Sequence, residues 1–280
     1  MTEAARLVES IYAKRDSDSR KYDYGHLLVI GGSKMYSGAP AFNALAALRC
    51  GVDMVIVAAV KRAADIIAGF SPDLVTYPLE GDYFARKHVE EIFGINRRFS
   101  ACVIGSGIGN EKETVEAVCE FLEKTSLPCV IDADAIHAVA SKPEILKGKT
   151  FLLTPNRNEF LSLIRSEIAA GKLKAEIDAT KKAAREFGCA ILYKGIEDII
   201  SDGRQTRINR RGSPFMTKGG TGDLLAGICG AIIARKVSCF DAAFAASYIN
   251  GKAGELAGKK HGESMLASDM LKEYHKIINL

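Results

Sequence analysis

HLLVIGGSKMYSGAPAFNALAALRCGVDMVIVAAV, residues 26–60, decides the architecture. It opens and closes on short apolar runs, HLLVIGG (26–32) and DMVIVAAV (53–60), with a segment of helical composition at 38–50 between them. Neither run alternates apolar with polar residues, so each strand is expected to be buried on both faces, as in a parallel sheet covered by helices. Similar runs recur at SACVIGSG (100–107), PCVIDAD (128–134), TFLLTP (150–155) and CAILYKG (189–195), separated by helical segments at 112–124, 134–146, 156–168 and 174–187. Such alternation predicts an α/β class chain, a three-layer α/β/α domain with a mostly parallel central sheet. Two runs depart from it: EDIISDG (197–203) and RQTRINR (204–210) meet at Asp202-Gly203, a hairpin signal, and predict an antiparallel pair at one edge. Helices at 223–235 and 239–258 and a terminal helix from about 267 follow. With no linker or repeat, residues 1–280 are expected to form a single domain, about 1–20 being an N-terminal lead-in helix.

Composition narrows the function. The 280 residues are 48% hydrophobic, enough for a sizeable core, and 38 basic residues face 34 acidic ones for a net charge of +4 without a dense basic block. Nucleic acid is therefore not an expected partner. No apolar run reaches the ~18 residues of a membrane span, and Glu3, Arg6 and Glu9 stand where a signal peptide would be apolar, so a cytoplasmic protein without a membrane partner is expected. The seven cysteines form no C-x-x-C pair and read as buried thiols. His26 and His137 adjoin apolar runs, His88, His261 and His275 lie in polar helical surroundings, and no spacing suggests a histidine or cysteine metal site.

Chemistry concentrates in GGTGDLLAG, residues 219–227. The first N–H groups of a helix have no partner within it and sit at the positive end of its dipole; glycines ahead of them let the backbone curl around a phosphate. Gly219, Gly220 and Gly222 fit such a cradle. It is neither a Walker loop, which needs Gly-Lys before Ser or Thr, nor a dinucleotide fingerprint, which follows the first strand. Asp223 at the join either caps the helix or accepts a proton from a hydroxyl attacking the terminal phosphorus, as a small-molecule kinase site requires.

Six stretches in order, KYDYGHLLVIGGSKMYSGAPAFNALAALRCG (21–51), VIGSGIG (103–109), VIDADAI (130–136), LLTPNRNEF (152–160), YKGIEDIISDG (193–203) and GGTGDLLAG (219–227), make the chain similar to the ADP- or ATP-dependent NAD(P)H-hydrate dehydratases, the C-terminal domain of YjeF-type proteins in the ribokinase-like superfamily. The resemblance implies a ribokinase-like fold and a repair reaction: the hydroxyl of (6S)-NADHX or NADPHX is phosphorylated, phosphate is eliminated, and NADH or NADPH is restored. It implies ADP or ATP as co-substrate, ADP being typical of lone-domain members, with Mg²⁺, and a homo-oligomer.

Carried over by motif, Asp223 is the catalytic and substrate-facing acid. Lys194, Gly195, Ile196, Glu197 and Asp198, with Gly219, Gly220, Thr221 and Gly222, bind the nucleotide. Ala39, Gly107, Gly109 and Asn156 face the substrate, and Asp132 and Glu159 hold magnesium through water; Asp134 is as readily a helix cap, and Asn250 either touches adenine or packs between helices. The sequence departs from the family pattern at Asn156, where a histidine is expected, at Asn158 and Tyr22 in place of glycines, at Asp198 in place of a threonine, and at Lys218 in place of a small or hydroxyl residue; either Asp198 and Lys218 offset each other in charge or the nucleotide preference is shifted. Two other functions share the loop: a small-alcohol kinase of ribokinase type, and a nonenzymatic nucleotide-binding relative.

Overall fold

The continuous apolar runs form the middle of a single sheet. A computed structural model describes residues 1–95, 98–168 and 171–279. In chain order the elements are α1 (Glu3–Ile11), β1 (His26–Ile30), α2 (Gly38–Arg49), β2 (Met54–Val60), α3 (Lys61–Ala68), β3 (Val75–Leu79), α4 (Arg86–Phe93), β4 (Ala101–Ile104), α5 (Lys112–Lys124), β5 (Cys129–Ile131), α6 (Asp134–Ser141), β6 (Phe151–Leu153), α7 (Arg157–Ile164), α8 (Leu173–Phe187), β7 (Ala190–Tyr193), β8 (Asp198–Ser201), β9 (Thr206–Asn209), α9 (Thr221–Ala234) and α10 (Cys239–His261), followed by helical turns at 267–270 and 275–278. The strands lie in the order β3-β2-β1-β4-β5-β6-β7-β8-β9. All pairings from β3 across to β7 are parallel, and β8 and β9 run antiparallel. Apolar cores lie on both faces of the sheet, which is why its strands carry no polar alternation. All seven cysteines are buried and free, and among the described residues no helix is long and apolar enough to cross a membrane.

The structure corrects the pattern in several places. Residues 61–99 hold a further strand and two helices. β3 escapes the apolar-run signal because it is an edge strand, with Val75 41% exposed and a proline at position 78. The segment 134–146 is helix only to Ser141, and a 3₁₀ turn begins at Pro143. α7 ends at Ile164, with Arg165 turned to φ 51°. His88 is wholly buried at the start of α4, not at a polar helical surface.

Winding outward from β1 to β3 and then returning to β4 leaves a crevice beyond the carboxyl ends of β1 and β4, the place where open α/β sheets take ligands. The loops there meet backbone to backbone. Gly32 N donates to Ser106 O (3.0 Å), and a Cβ on Gly105 would stand 2.0 Å from Asp132 O.

α9 aims at that crevice. It is apolar on every side, and all its residues are buried except Gly222 and Asp223, so it is an interior helix and not an amphipathic surface one. Its glycines permit this: a Cβ on Gly227 would lie 2.2 Å from Asn43 O in α2, and one on Gly230 would lie 2.4 Å from Val103 Cγ2 in β4. The buried Asn43 Nδ2 donates to Asp223 O (2.7 Å), tying α2 to the first turn of α9.

Gly227→Ala is expected to destabilise the protein by about 1–3 kcal/mol, the usual cost of overpacking, and to reduce ligand binding along with stability because α9 must back away from α2. A thermal midpoint equal to that of the unmodified chain would show that the contact yields freely.

Candidate active site

Gly220 is the N-cap of α9, at φ 97°, with Phe42 Cε2 2.7 Å and Ala267 Cβ 2.9 Å from where a Cβ would be. Only glycine fits that turn. The first intrahelical bond is Leu224 N to Gly220 O (3.0 Å), so the N–H groups before it lie at the open helix end. Thr221 fixes this end: its hydroxyl donates to Met216 O (2.8 Å), and its carbonyl accepts from Asn250 Nδ2 (3.1 Å), whose Oδ1 in turn accepts from the Tyr274 hydroxyl (3.0 Å). Asn250 therefore ties α10 to the start of α9, and it also lines the cavity described below. Asp223 lies in the first helical turn, and no side chain makes a capping bond at this end.

The Asp223 carboxyl is pushed up to about 6, first by burial and then by the charge of Asp132, while Ser106 and Lys194 pull it down and Asp134 adds to the rise. Ser106 Oγ is buried and has no partner at ordinary hydrogen-bond distance, so its effect on Asp223 is a longer-range one. Lys194 follows directly on β7; its Nζ lies 2.8 Å from Asp132 Oδ1, 3.9 Å from Glu159 Oε2 and 3.5 Å from where a Cβ on Gly222 would be. Burial works against the Lys194 ammonium, but Asp132, Glu159 and Asp223 outweigh it and hold its pKa above the ordinary lysine value. Thr154 Oγ1 also donates to Asp132 Oδ1 (2.6 Å). Glu159 is raised by burial, with Lys194 opposing.

Between Asp132 and Asp134, Ala133 adopts φ 50°, a conformation that costs a non-glycine residue about 1–3 kcal/mol. The twist separates the two acids. Asp132 turns inward to Lys194, whereas Asp134 accepts from Gly109 N (2.9 Å) and Asn110 Nδ2 (3.0 Å) and so fixes the turn after β4 rather than capping its own helix. On the far side of that turn, a Cβ on Gly107 (φ 65°) would meet Tyr36 Cβ at 2.8 Å and Ala39 Cβ at 3.5 Å. The structure thus packs Gly107 against Ala39, ties Gly109 to Asp134 in the same turn, and sets Ser106 of that turn within reach of Asp223.

Asn156 and Glu159 do something else. Asn156 Oδ1 accepts from Glu159 N (3.0 Å) and Glu159 Oε2 accepts from Asn156 N (2.7 Å), a reciprocal cap on α7. Among the described residues no group of three His, Cys, Asp or Glu could hold a metal ion. Asp132 and Glu159, the two acids that the resemblance assigns to magnesium, both face Lys194 Nζ instead, at 2.8 and 3.9 Å.

A cavity of about 640 Å³ opens beside Gly222. Lys194, Gly195, Ile196, Asp198, Thr221, Gly222, Leu225 and Asn250 line it, and its outer wall is drawn from the stretch between Arg210 and Thr217, with Gly251, residues the motifs did not mark. The signal for that wall is the glycine spacing of α10: Cβ atoms on Gly251, Gly254 and Gly258 would collide with Arg211, Met216 and Ser213. Glu197 turns away to Arg210 (2.5 Å), and Gly219, which is exposed, and Gly220 are not part of the lining. Asp198 accepts from Gly195 N (3.2 Å) and Ser247 Oγ (2.6 Å), closing the turn after β7, and burial raises its pKa. Lys218 donates to Glu263 O, so its ammonium is engaged there and not with Asp198.

A model of the NAD(P)H-hydrate dehydratase family matches residues 27–276. The bifunctional NAD(P)H-hydrate repair enzyme Nnr of Pyrobaculum aerophilum is 39% identical over 266 residues, covering 94% of this chain and 52% of that one. The chain spans about half the length of such bifunctional relatives. The ADP-dependent (S)-NAD(P)H-hydrate dehydratase of Cenarchaeum symbiosum is 37% identical over 265 residues, covering 94% of this chain and 91% of that one. Among solved structures, the Bacillus subtilis ADP/ATP-dependent NAD(P)H-hydrate dehydratase co-crystallized with ATP/Mg²⁺ superposes with a TM-score of 0.81 at 23% identity over 97% of each chain. The fold is ribokinase-like.

Because the Asp223 carboxyl stands near 6 against 3.8 for an ordinary aspartate, folding favours its protonated form. Its contribution to stability is present below pH 3.8 and is lost as pH rises through about 6. Asp223→Asn is therefore expected to stabilise the protein at pH 7 by up to about 3 kcal/mol, a gain that vanishes near pH 4. Denaturant midpoints across that range measure it, and a variant no more stable at pH 7 would show the carboxylate to be well solvated.

Proposed function

Because the chain belongs to the NAD(P)H-hydrate dehydratase family, we propose that it dehydrates (6S)-NADHX and NADPHX to NADH and NADPH at the expense of a nucleotide, with ADP as the phosphoryl donor. The observation that carries this is the position of Asp223 and Gly222. They are the two open residues of a buried helix: Gly222 lines the 640 Å³ cavity, and Asp223 is acted on by Ser106, the neighbour of Gly107 in the turn that packs against Ala39. The cavity takes the nucleotide, the crevice takes the hydrated nicotinamide, and the phosphoryl group crosses at the end of α9.

Asp223, ionised at neutral pH, accepts the proton of the substrate hydroxyl as its oxygen attacks the terminal phosphorus. The amides of the first turn and the Lys194 ammonium hold the transferring group. When bound with the nucleotide, magnesium would screen the phosphate charge, held through water by Asp132 and Glu159. Loss of phosphate from the ring, with a proton from the neighbouring carbon, restores the double bond. Since Asn156 caps α7, the protonated Asp223 is the nearest acid to assist the departing phosphate, and a pKa of about 6 suits it to both halves of the reaction. The apolar cores on both faces of one continuous sheet support reading residues 1–280 as a single domain.

Hydrated NADH incubated with ADP or ATP is expected to regain the absorbance of NADH, faster with ADP, with activity falling as pH drops through about 6. Asp223→Asn should lower the rate by about 10²–10⁴-fold while nucleotide affinity stays within a few-fold. A phosphorylated product without recovered NADH would identify a plain kinase. Nucleotide binding with no product of either kind would identify a nonenzymatic relative.

A further inference from the structure

His88 is a wholly buried histidine that lines neither the nucleotide cavity nor the crevice. Its ring is nevertheless fully committed. Nδ1 accepts from Ala85 N (2.9 Å), and Nε2 faces Glu80 O at 2.9 Å, where a carbonyl can only accept, so the ring is held neutral with its proton on Nε2. Those two partners are the ends of the loop that joins β3 to α4. The imidazole therefore closes residues 80–85 like a clasp, with Phe84 (2% exposed) stacked beside it at 5.9 Å.

The clasped loop reaches the crevice through Lys34. Lys34 N donates to Asp82 O (2.9 Å) and Lys34 Nζ pairs with Asp82 (3.0 Å). The ion pair is exposed and weak, so the backbone bond is the firmer attachment. Lys34 lies in the turn closed by Ser33 N donating to Tyr36 O (2.9 Å), and Tyr36 is the residue against which Gly107 is packed. The same turn carries two large exposed side chains, Met35 at 77% and Tyr36 at 54%. With no regular structure of its own, its position is set by Gly32 bonded to Ser106 on one side and by the 80–85 loop on the other.

From this chain of contacts we infer that His88 is a positioning residue for substrate: by closing loop 80–85 it fixes the turn Ser33–Tyr36, and with it the wall of the crevice next to Gly107 and Ala39. The inference rests on the assignment of that wall to the hydrated dinucleotide made above. It gives His88 no contact with substrate and no part in proton transfer. Its signature is selectivity, since the nucleotide cavity is built from β7 to α10 and shares no wall with this turn.

Two replacements separate the ring's two bonds. An asparagine carbonyl can stand in for Nδ1 but is too short to reach Glu80 O, whereas a glutamine amide can stand in for Nε2. Gly81, at φ 124° with nothing nearer to a Cβ than Lys87 Nζ at 3.9 Å, allows the same loop to be disturbed from its exposed side without a clash. In steady-state assays with hydrated NADH and ADP, His88→Asn and Gly81→Ala are expected to raise the KM for the hydrate about five-fold or more, the size of one net hydrogen bond. The KM for ADP and kcat should stay within about two-fold, and His88→Gln should recover most of the loss. Amide hydrogen exchange should show Lys34 losing protection in the first two variants and keeping it in the third. Equal movement of both KM values, or a folded Gly81→Ala with an unchanged hydrate KM, overturns the inference. An unmodified chain that restores no NADH overturns the functional assignment instead, and the exchange measurement then still decides whether His88 holds the turn.

Discussion

The site depends on one packing constraint: α9 is seated in the interior closely enough that backbone touches backbone. Gly227 against Asn43 and Gly230 against Val103 leave no room for a methyl group. Because the helix is apolar all round, burial drives it inward, and the glycines let it lie at contact distance from α2 and the sheet. Its position along its axis is then fixed by Asn43 at Asp223 O and by Asn250 at Thr221 O. What remains outside is one helical turn, with the amides, the dipole and Asp223 together at the point where the strand order reverses. A surface helix held by one amphipathic face could not present that turn with comparable accuracy.

Placing a carboxylate there is unfavourable, and the surrounding charges show how it is managed. Lys194 faces Asp132, Glu159 and Asp223 together, so its ammonium is neutralised several times over before a phosphate arrives. Breaking such a buried pair by removing one partner would leave a desolvated charge, which costs about 3–5 kcal/mol. An incoming phosphate meets a lysine that is already positioned but shared, and binding rearranges charge more than it adds charge. Burial first, and the surplus of acid after it, raise the pKa of Asp223. A group whose ionisation weakens the fold at neutral pH is expected where function, not stability, sets the choice of residue.

How much of this could be read from the sequence varies with the physics. The central strands were legible because burial on both faces leaves an unbroken apolar run, as in LLVI of β1. β3 was not, because an edge strand carrying Pro78 satisfies neither the continuous nor the alternating pattern. The cradle and Asp223 were legible because a helix N-terminus makes its demands locally, in consecutive residues. The outer wall of the nucleotide cavity, from Arg210 to Thr217, was hidden, since what shapes it is a collision surface on α10 some forty residues later in the chain. At Asn156 and Glu159 the structure adds a local role, the reciprocal cap on α7, to the ligand roles that the resemblance implies. Asn-x-x-Glu ahead of an apolar run is itself a helix-start signal of the capping-box type, and the nearer explanation accounts for both side chains. His88 left no signal, because an imidazole that bonds two backbone groups across a loop looks like any histidine in a polar segment.

Where the chain departs from its family's pattern, Tyr22 stands in place of a glycine and keeps the backbone conformation glycine favours, φ 81°, with its ring set beside His26 at 5.2 Å. Asn156 closes the start of α7, and Asp198 closes the turn after β7 through Gly195 and Ser247. At Asn156 and Asp198 the substitution is absorbed by bonds within a few residues or by one neighbouring helix. Lys194 and Asp223 are coupled differently: each acts on the other and Asp132 acts on both, across two strand ends and the start of α9. A change at any of them would be felt by all, whereas a change at Asn156 can be confined to its own helix. In the reaction proposed above, the acid of the elimination step is therefore assigned to the coupled set, at Asp223, rather than to the loop where a histidine is usual.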